Sequence, residues 1–526
     1  MDKKSSSAVA GGIIVLAVFG FYKLLALPGL LVAFQDYRFT GGTFGSPFVG
    51  LRHFANFFSS PPAADALANT FIISAGVAIL SCLLTFALVY CITRFAGANA
   101  RIAAIAVLAF PFFIPVVSHF YLIQGLLGPN SGPAFGDPQL TRIIFIIADS
   151  YRYIWIPVAA GVFASQYKND NGMGFIMKFT ACAALFRLIF CLYPDTEHIL
   201  LFQNPLTLSA METMDTLDYR QAFMMMNFSY AAAAGLIRYA LQILFAVAGF
   251  IGLYYLIIKK KINANEIAQP GQNGQNAPAI AVFFICASVP AAIILRFFVN
   301  SFSADYALFF QSAKLPQSII ASIFYGVTVT MICTVTTLIL AYPLLYSKRG
   351  YPLLLLVYFL FPSTKIAEYL LIKNLGMINT FYPLILLNII NIAPVFVLHL
   401  LTRDRFENGK IPSASEYLKH CAYPVLLMAA FTFASAYGGF YNNLIYTNDV
   451  SKYGIGLTGR TLQLQSRIAD AVFDSDHIDQ LLQAFHTIVS IIPVAIGMMA
   501  IIIGGMNANK NSQNRSGETK EILPGD

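Results

Sequence analysis

The sequence predicts an all-α, polytopic integral membrane protein, with about twelve transmembrane helices in two pseudo-repeated six-helix halves. Three observations predict it. Hydrophobic residues make up 57% of the 526-residue chain and charged residues 11%, with a mean hydropathy of +0.67. A water-soluble fold of this size has no interior large enough to hide that much apolar surface, whereas lipid accepts it directly. Apolar runs of the roughly 20 residues needed to cross the hydrocarbon recur along the chain. One long polar stretch near the middle, Lys259 to Pro278 (KKKINANEIAQPGQNGQNAP), divides them into two sets.

The first set falls near 8–34, 69–93, 102–127, 142–165, 175–193 and 228–258. The second falls near 279–299, 318–346, 351–372, 381–402, 418–440 and 483–505. The domain reading is therefore a first half over 1–258, a linker over 259–278, a second half over 279–506, and a polar, disordered tail over 507–526. Lys3 and Lys4 precede the first apolar run, which continues to about Phe34 with no convincing small-residue cleavage site, so it reads as a retained span.

Charge orients these spans. Lys3, Lys4, Arg94, Arg101, Lys168, Lys259 to Lys261, Lys348, Arg349, Arg403, Arg405 and Lys510 fall on one side when twelve spans are drawn, and the positive-inside rule makes that side the cytoplasm. Both termini are then cytoplasmic. The net charge of +8 reflects topology, and no basic patch with interleaved aromatics supports nucleic acid as a partner. Loops on the outer face are long (35–68, 194–227 and 441–482), which suggests that something is received there, and 466–485 reads as a surface helix against the membrane. The seven cysteines lie within or at the ends of spans, without metal-ligand spacing, and read as small packing residues.

Ionisable residues at membrane depth are costly unless paired or wet, so each is a candidate for function. Asp149 and Arg152 are three apart on one face of the fourth span and are expected to pair; Lys365 and Glu368 share that spacing in the ninth. Tyr151, Tyr153 and Trp155 follow Asp149, and such a cluster suits the C–H faces of a sugar while polar groups read its hydroxyls. Asp149, Arg152, Tyr151, Trp155, Lys365 and Glu368 are thus the expected substrate path. Arg187, Arg238 and Arg296 are less specific, and His399 reads as interfacial or packing. Pro111, Pro115, Pro157, Pro290, Pro362 and Pro394 are expected to kink or interrupt spans and free backbone carbonyls towards a cavity. Pro115 and Pro362 hold equivalent places in the two halves.

Several segments resemble the permease subunits of bacterial carbohydrate (oligosaccharide) ABC importers. LPGLLVAFQDYRFTGGTFGSPFVGLRHFANFF (Leu27 to Phe58) is similar to the start of the first subunit, where an apolar span runs into an AF-x-D-Y turn and G-S-P-x-V-G-L-x-x-F. ETMDTLDYRQAFMMMNFSYAAAAGL (Glu212 to Leu236) resembles that subunit's approach to its last span. In the second half Ala341-Tyr342-Pro343 matches the A-Y-P pattern of the partner subunit. EYLLIKNLGMINTFYPLIL (Glu368 to Leu386) resembles its Y-L-L-x-x-x-L-G-L-x-N-T signature, and GGFYNNLIYTNDVSKYGIGLTGRTLQ (Gly438 to Gln463) its W-N-D/S-x-x-x-P-L-I-Y-L-x-D loop, with Tyr441 in place of Trp. The resemblance implies a type I importer permease fold, with two subunits fused head to tail through the 259–278 linker.

It further implies import of an oligosaccharide or similar polar solute across the bacterial cytoplasmic (inner) membrane. An extracytoplasmic solute-binding protein would meet Tyr441, Asn442, Tyr446, Asp449 and Arg460. ABC ATPase subunits, two copies or a heterodimer, would meet the cytoplasmic loops through Tyr167, Asp170, Gly172, Arg405, Glu407, Gly409 and Glu416. The family's coupling loop carries E-A-A, three residues, Gly, nine residues and I-x-L-P; here the two places read ASQYKNDNGMGFIMKF (Ala164 to Phe179) and RDRFENGKIPSASEYLKHCAYP (Arg403 to Pro424), without the E-A-A. Ser413 and Glu416 nevertheless offer a capping-box start for a short helix. No G-x-x-x-x-G-K-[ST] loop occurs, so ATP is expected on the partner subunits, with no cofactor or metal on this chain. No H-E-x-x-H or G-x-S-x-G points to an enzyme. Two other readings remain open at this point: a permease-derived scaffold or sensor that has lost ATPase coupling, and an ion-coupled transporter using Asp149 and Glu368.

Overall fold

The computed structural model describes residues 24–256, 277–344, 364–388 and 413–521, apart from 96, 129–131, 169–171, 191, 193 and 470–474; within 389–412 it describes Val395 and Leu398. Among the described residues the architecture is all-α, and the one extended pairing is an isolated antiparallel bridge of Gln35 and Phe48. Six described helices are long and apolar enough to cross a membrane, or eight if two bent pairs each count as one span.

In the first half the helices are α1 (Pro61–Ile92), α2 (Ala98–Phe113), α3 (Val116–Leu127), α4 (Pro138–Tyr153), α5 (Trp155–Lys168), α6 (Met173–Ile189), α7 (Thr196–Phe202) and α8 (Phe228–Tyr254). In the second they are α9 (Ala277–Cys286), α10 (Ser288–Ser303), α11 (Lys314–Leu344), α12 (Lys365–Asn374), α13 (Ala414–Gly438), α14 (Tyr441–Tyr446), α15 (Ile455–Ala469) and α16 (Ser475–Glu521). The expected spans at 69–93, 142–165, 228–258, 318–346, 418–440 and 483–505 correspond to α1, α4 with α5, α8, α11, α13 and α16. Those at 8–34, 351–372 and 381–402 fall largely outside the described residues, as does the 259–278 linker.

The long spans are apolar all round. Ile79, Leu83, Leu244, Leu295, Ile320 and Met331 are each more than 60% exposed on their outward faces. In water each such side chain would forgo about 1.5–3 kcal/mol of burial, so lipid is the solvent these faces require.

Pro115 interrupts the span at 102–127 as its position predicts: α2 and α3 meet at 103°. Ile114, held extended by the proline after it (ψ 131), and Pro115 (ψ 141) break the helix, while Pro111 is accommodated inside α2. Likewise α9 and α10, over 279–299, are bent by 55° at Ala287. Of the expected surface helix at 466–485, residues 466–469 end α15 and 475–485 open α16, with 470–474 outside the described residues; α15 packs on α3, α11, α13 and α16 with Ile455 and Leu457 buried. Its close approach needs Gly456, where a Cβ would sit 2.6 Å from the Gly438 carbonyl oxygen and 2.8 Å from that of Gly439. α16 runs to Glu521, because a helix already nucleated in its apolar part extends at low cost.

The two halves interlock. α2 lies along α16 and against α10, α1 against α9, α3 against α15, and α8 against α12. One apolar core joins Leu88, Leu108, Phe112, Phe113 and Trp155 to Phe283, Ala430 and Ile501; a second joins Phe120, Phe145 and Phe202 to Tyr441, Tyr446 and Leu457.

Candidate functional site

At the break between α2 and α3 the helix ladder leaves carbonyls without N–H partners. Arg152, at the end of α4, supplies them: its Nη1 donates to the Ile114 carbonyl at 3.0 Å and to that of Pro111 at 3.3 Å. Arg152 is therefore occupied in bracing the break rather than paired with Asp149. Asp149 instead faces Arg187 of α6 at 3.6 Å and His198 of α7 at 3.5 Å. His198 in turn meets His119 of α3 at 3.3 Å, and the Tyr153 hydroxyl donates to Asp195 at 2.7 Å. Oxygen and nitrogen atoms of Asp149, Asp195 and His198 lie within 4.8 Å of one another, but the Arg187 guanidinium beside Asp149 already provides a cation there.

α7 carries a second acidic side chain to a different place. Its start is fixed by Asp195, whose carboxylate accepts the His198 N–H as an N-cap. Glu197, in the first turn, projects across to the second half. Its Oε1 accepts the backbone N–H groups of Phe440 (3.0 Å) and Tyr441 (2.8 Å), capping α14 from 243 residues away. Gly439 leaves the space for it, since a Cβ there would lie 3.2 Å from Oε1.

Glu197 is also one wall of a cavity of about 210 Å³ at this junction of the halves. The other polar walls are Tyr325, Asn388, Thr432, Ser435, Asn442 and Asn443; Val329, Leu384 and Phe431 are apolar. Tyr325 donates its hydroxyl to the Leu384 carbonyl, and the Asn388 amide donates to Tyr325 Oη at 3.2 Å, so these groups are pre-positioned. Burial pushes the Glu197 carboxyl up to about 7; Asp195 adds to the rise, and the two backbone N–H groups and Arg152 oppose it.

The expected substrate path is distributed differently. Tyr151 and Trp155 are buried in the apolar core, with Trp155 against Phe112 and Phe113 at 5.7 Å, so neither presents a face to a solute. Lys365 lies 5.5 Å over the Tyr441 ring, and Glu368 is buried one helical turn away in α12. Of the expected docking residues, Tyr441 and Tyr446 are buried packing groups, and Arg460 stacks 5.4 Å over Phe440 and hydrogen-bonds Tyr219. Asn442 lines the cavity, and Asp449 is half-exposed and paired with Lys452 at 3.4 Å. These side chains turn inwards because the Gly376–Thr380 turn holds their loop: Asn379, at φ +67, accepts the N–H groups of Asn448 and Asp449.

Among the expected ATPase contacts, Asp170, Arg405, Glu407 and Gly409 lie outside the described residues, and so does His399. Tyr167 is near the end of α5, and Gly172 is exposed at the start of α6. Glu416 is exposed and completes the capping box with Ser413 as the spacing predicts. Pro362 and Pro394 are outside the described residues. Arg238 pairs with Asp215 at 2.8 Å, and Arg296 packs against Gly125. Sequence reasoning missed Glu197, Tyr325 and Asn388. Asn388 was visible as a polar residue in an apolar run; Glu197 carried no signal, being one carboxylate in a long loop.

The spans and their packing define a multi-pass, all-α membrane protein. No protein-family model matches the chain. It is 32% identical over 187 residues to Protein LplC of Bacillus subtilis (strain 168), a match that covers 32% of this chain and 63% of LplC. Two solved structures align at 20% identity. One is a bacterial ABC transporter involved in the import of the acidic polysaccharide alginate, with TM-score 0.36, covering 42% of this chain and 86% of that one. The other is the bacterial alginate ABC transporter with its alginate pentasaccharide-bound periplasmic protein, with TM-score 0.35, 42% and 84%. The chain thus spans less than two thirds of the length of LplC.

Proposed function

We propose that this chain is the transmembrane permease of an ABC importer, moving an oligosaccharide or similar polar solute across the bacterial cytoplasmic membrane. In this reading residues 1–258 and 279–506 are two permease halves fused through a cytoplasmic linker. A solute-binding protein delivers the solute on the outer face, and separate ATPase subunits supply ATP hydrolysis, so the chain itself is no enzyme. The observation that supports it most is the polar cavity between the halves, walled by Glu197, Tyr325, Asn388, Ser435 and Asn443 inside an otherwise apolar bundle. Hydroxyl, amide and carboxylate groups that face a cavity keep spare hydrogen-bonding capacity, and a hydroxyl-rich passenger uses it. Of the two expected coupling loops, the second carries the capped start of α13 at Ser413 and Glu416, which suits an asymmetric contact with the ATPases.

The test is affinity purification of the full chain from its native membrane, with identification of bound proteins, alongside uptake of labelled oligosaccharides in a deletion strain. An ABC ATPase in the eluate, lost when residues 405–416 are replaced by a Gly-Ser segment, is the expected result. No ATPase in the eluate, together with unchanged uptake in the deletion strain, would refute the proposal.

A further inference from the structure

We propose that Glu197 makes the cavity a charge filter, admitting neutral or ammonium-bearing polar solutes, such as neutral and amino sugars, and rejecting carboxylated ones. This rests on the reading above only in placing the cavity on the solute's route. The geometry that carries it is the division of labour between the two carboxylate oxygens. Oε1 is held by the N–H groups of Phe440 and Tyr441. The hydrogen bonds of Glu197 to described residues both fall on Oε1, and Glu197 lines the cavity, so Oε2 is left as an acceptor for whatever enters. A hydroxyl or an ammonium donates to that oxygen; a carboxylate has nothing to donate and brings a like charge.

The rest of the wall reinforces the selection. Among its described residues the cavity is lined by no lysine, arginine or histidine, and its other polar groups are hydroxyls and amides. The charged and titratable groups around Glu197 are Asp195 on its own segment, Arg152 of α4, Tyr325 of α11 and Tyr441 of α14. Arg152 is the one cation of these, and its Nη1 is committed to the Pro111 and Ile114 carbonyls. The volume of about 210 Å³ corresponds to about seven water molecules, the scale of one sugar unit. Discrimination therefore acts on single residues of a glycan.

The experiment needs no knowledge of the natural solute. Ser435, on the cavity wall, is replaced by cysteine in the full chain, reconstituted in lipid nanodiscs. Labelling by a cationic trimethylammonium-ethyl and an anionic sulfonatoethyl methanethiosulfonate is timed by peptide mass spectrometry. Each rate is divided by that on glutathione, and the parent chain supplies the background, because Cys333 lines the same cavity. The filter predicts a cationic preference on the order of tenfold at pH 8.5. That preference declines as pH falls through about 7, where Glu197 takes up its proton, and drops below about twofold in E197Q, whose carbonyl still caps α14. The pH titration uses the native Glu197, so it decides the matter even where E197Q fails to fold. Equal rates for the two reagents, a preference that survives E197Q or low pH, or no labelling of Ser435→Cys by either reagent would overturn the proposal. A charge preference in a protein that binds no ATPase and supports no uptake would overturn the transport reading alone; uptake without the preference would overturn the filter alone.

Discussion

Replacing Arg152 by methionine tests the central packing argument, because methionine keeps much of the apolar stem and removes the guanidinium. Arg152 is 7% exposed and gives one nitrogen to two carbonyls, those of Ile114 at 3.0 Å and Pro111 at 3.3 Å. A hydrogen bond from a charged donor contributes about 1.5–3 kcal/mol, and a buried acceptor left without a partner costs about 1–3 kcal/mol. The longer bond contributes less, and releasing a buried guanidinium from its apolar surroundings offsets part of the loss. The balance is a destabilisation of about 2–4 kcal/mol. It is measured by unfolding the purified protein from detergent micelles with increasing sodium dodecyl sulfate, followed by the fluorescence of Trp155. R152K, with one ammonium in place of the fork, is expected to retain part of the stability. Unchanged stability in R152M, within about 0.5 kcal/mol, together with lost uptake would refute the reasoning and return Arg152 to the solute's path.

Other outcomes follow from particular contacts. Gly456→Ala drives a methyl into the Gly438 and Gly439 carbonyls and should lower stability by about 1–3 kcal/mol, whereas Gly45→Ala, with open space around it, should be neutral in the same unfolding assay. Ser413→Ala removes one half of the capping box, at about 1 kcal/mol, and hydrogen exchange at 414–418 should accelerate about fivefold with little change in α16. Glu197 holds its proton up to about pH 7 in the folded state and to about 4.3 unfolded. Its contribution to stability is thus full at low pH and is lost as pH rises through about 7. Thermal denaturation from pH 5 to 8.5 should show a decline that E197Q flattens; identical slopes in both proteins would contradict the burial of that carboxyl.

What was legible in the sequence is what depends on local composition. Apolar length placed α1, α4 with α5, α8, α11, α13 and α16, because lipid demands continuous internal hydrogen bonding over about 20 residues. Pro115 announced the break after α2, and Ser413 with Glu416 announced the start of α13, since both act on backbone groups within four residues. Spacing three apart suggested an Asp149–Arg152 pair, and here proximity along the helix misled: the broken helix offered Arg152 two carbonyls, and α6 and α7 offered Asp149 other partners.

The sequence by itself determined an all-α membrane protein, six of its spans and the break at Pro115. Only the tertiary structure decided which polar groups meet. Glu197 and the α14 amides are 243 residues apart, and Tyr325, Asn388 and Ser435 come from separate elements of the other half. No periodicity encodes such a meeting, because it is fixed by how α2, α3 and α15 pack the two halves together. The structure likewise decided that Tyr151 and Trp155 are buried in the apolar core, with the Trp155 ring against Phe112 and Phe113.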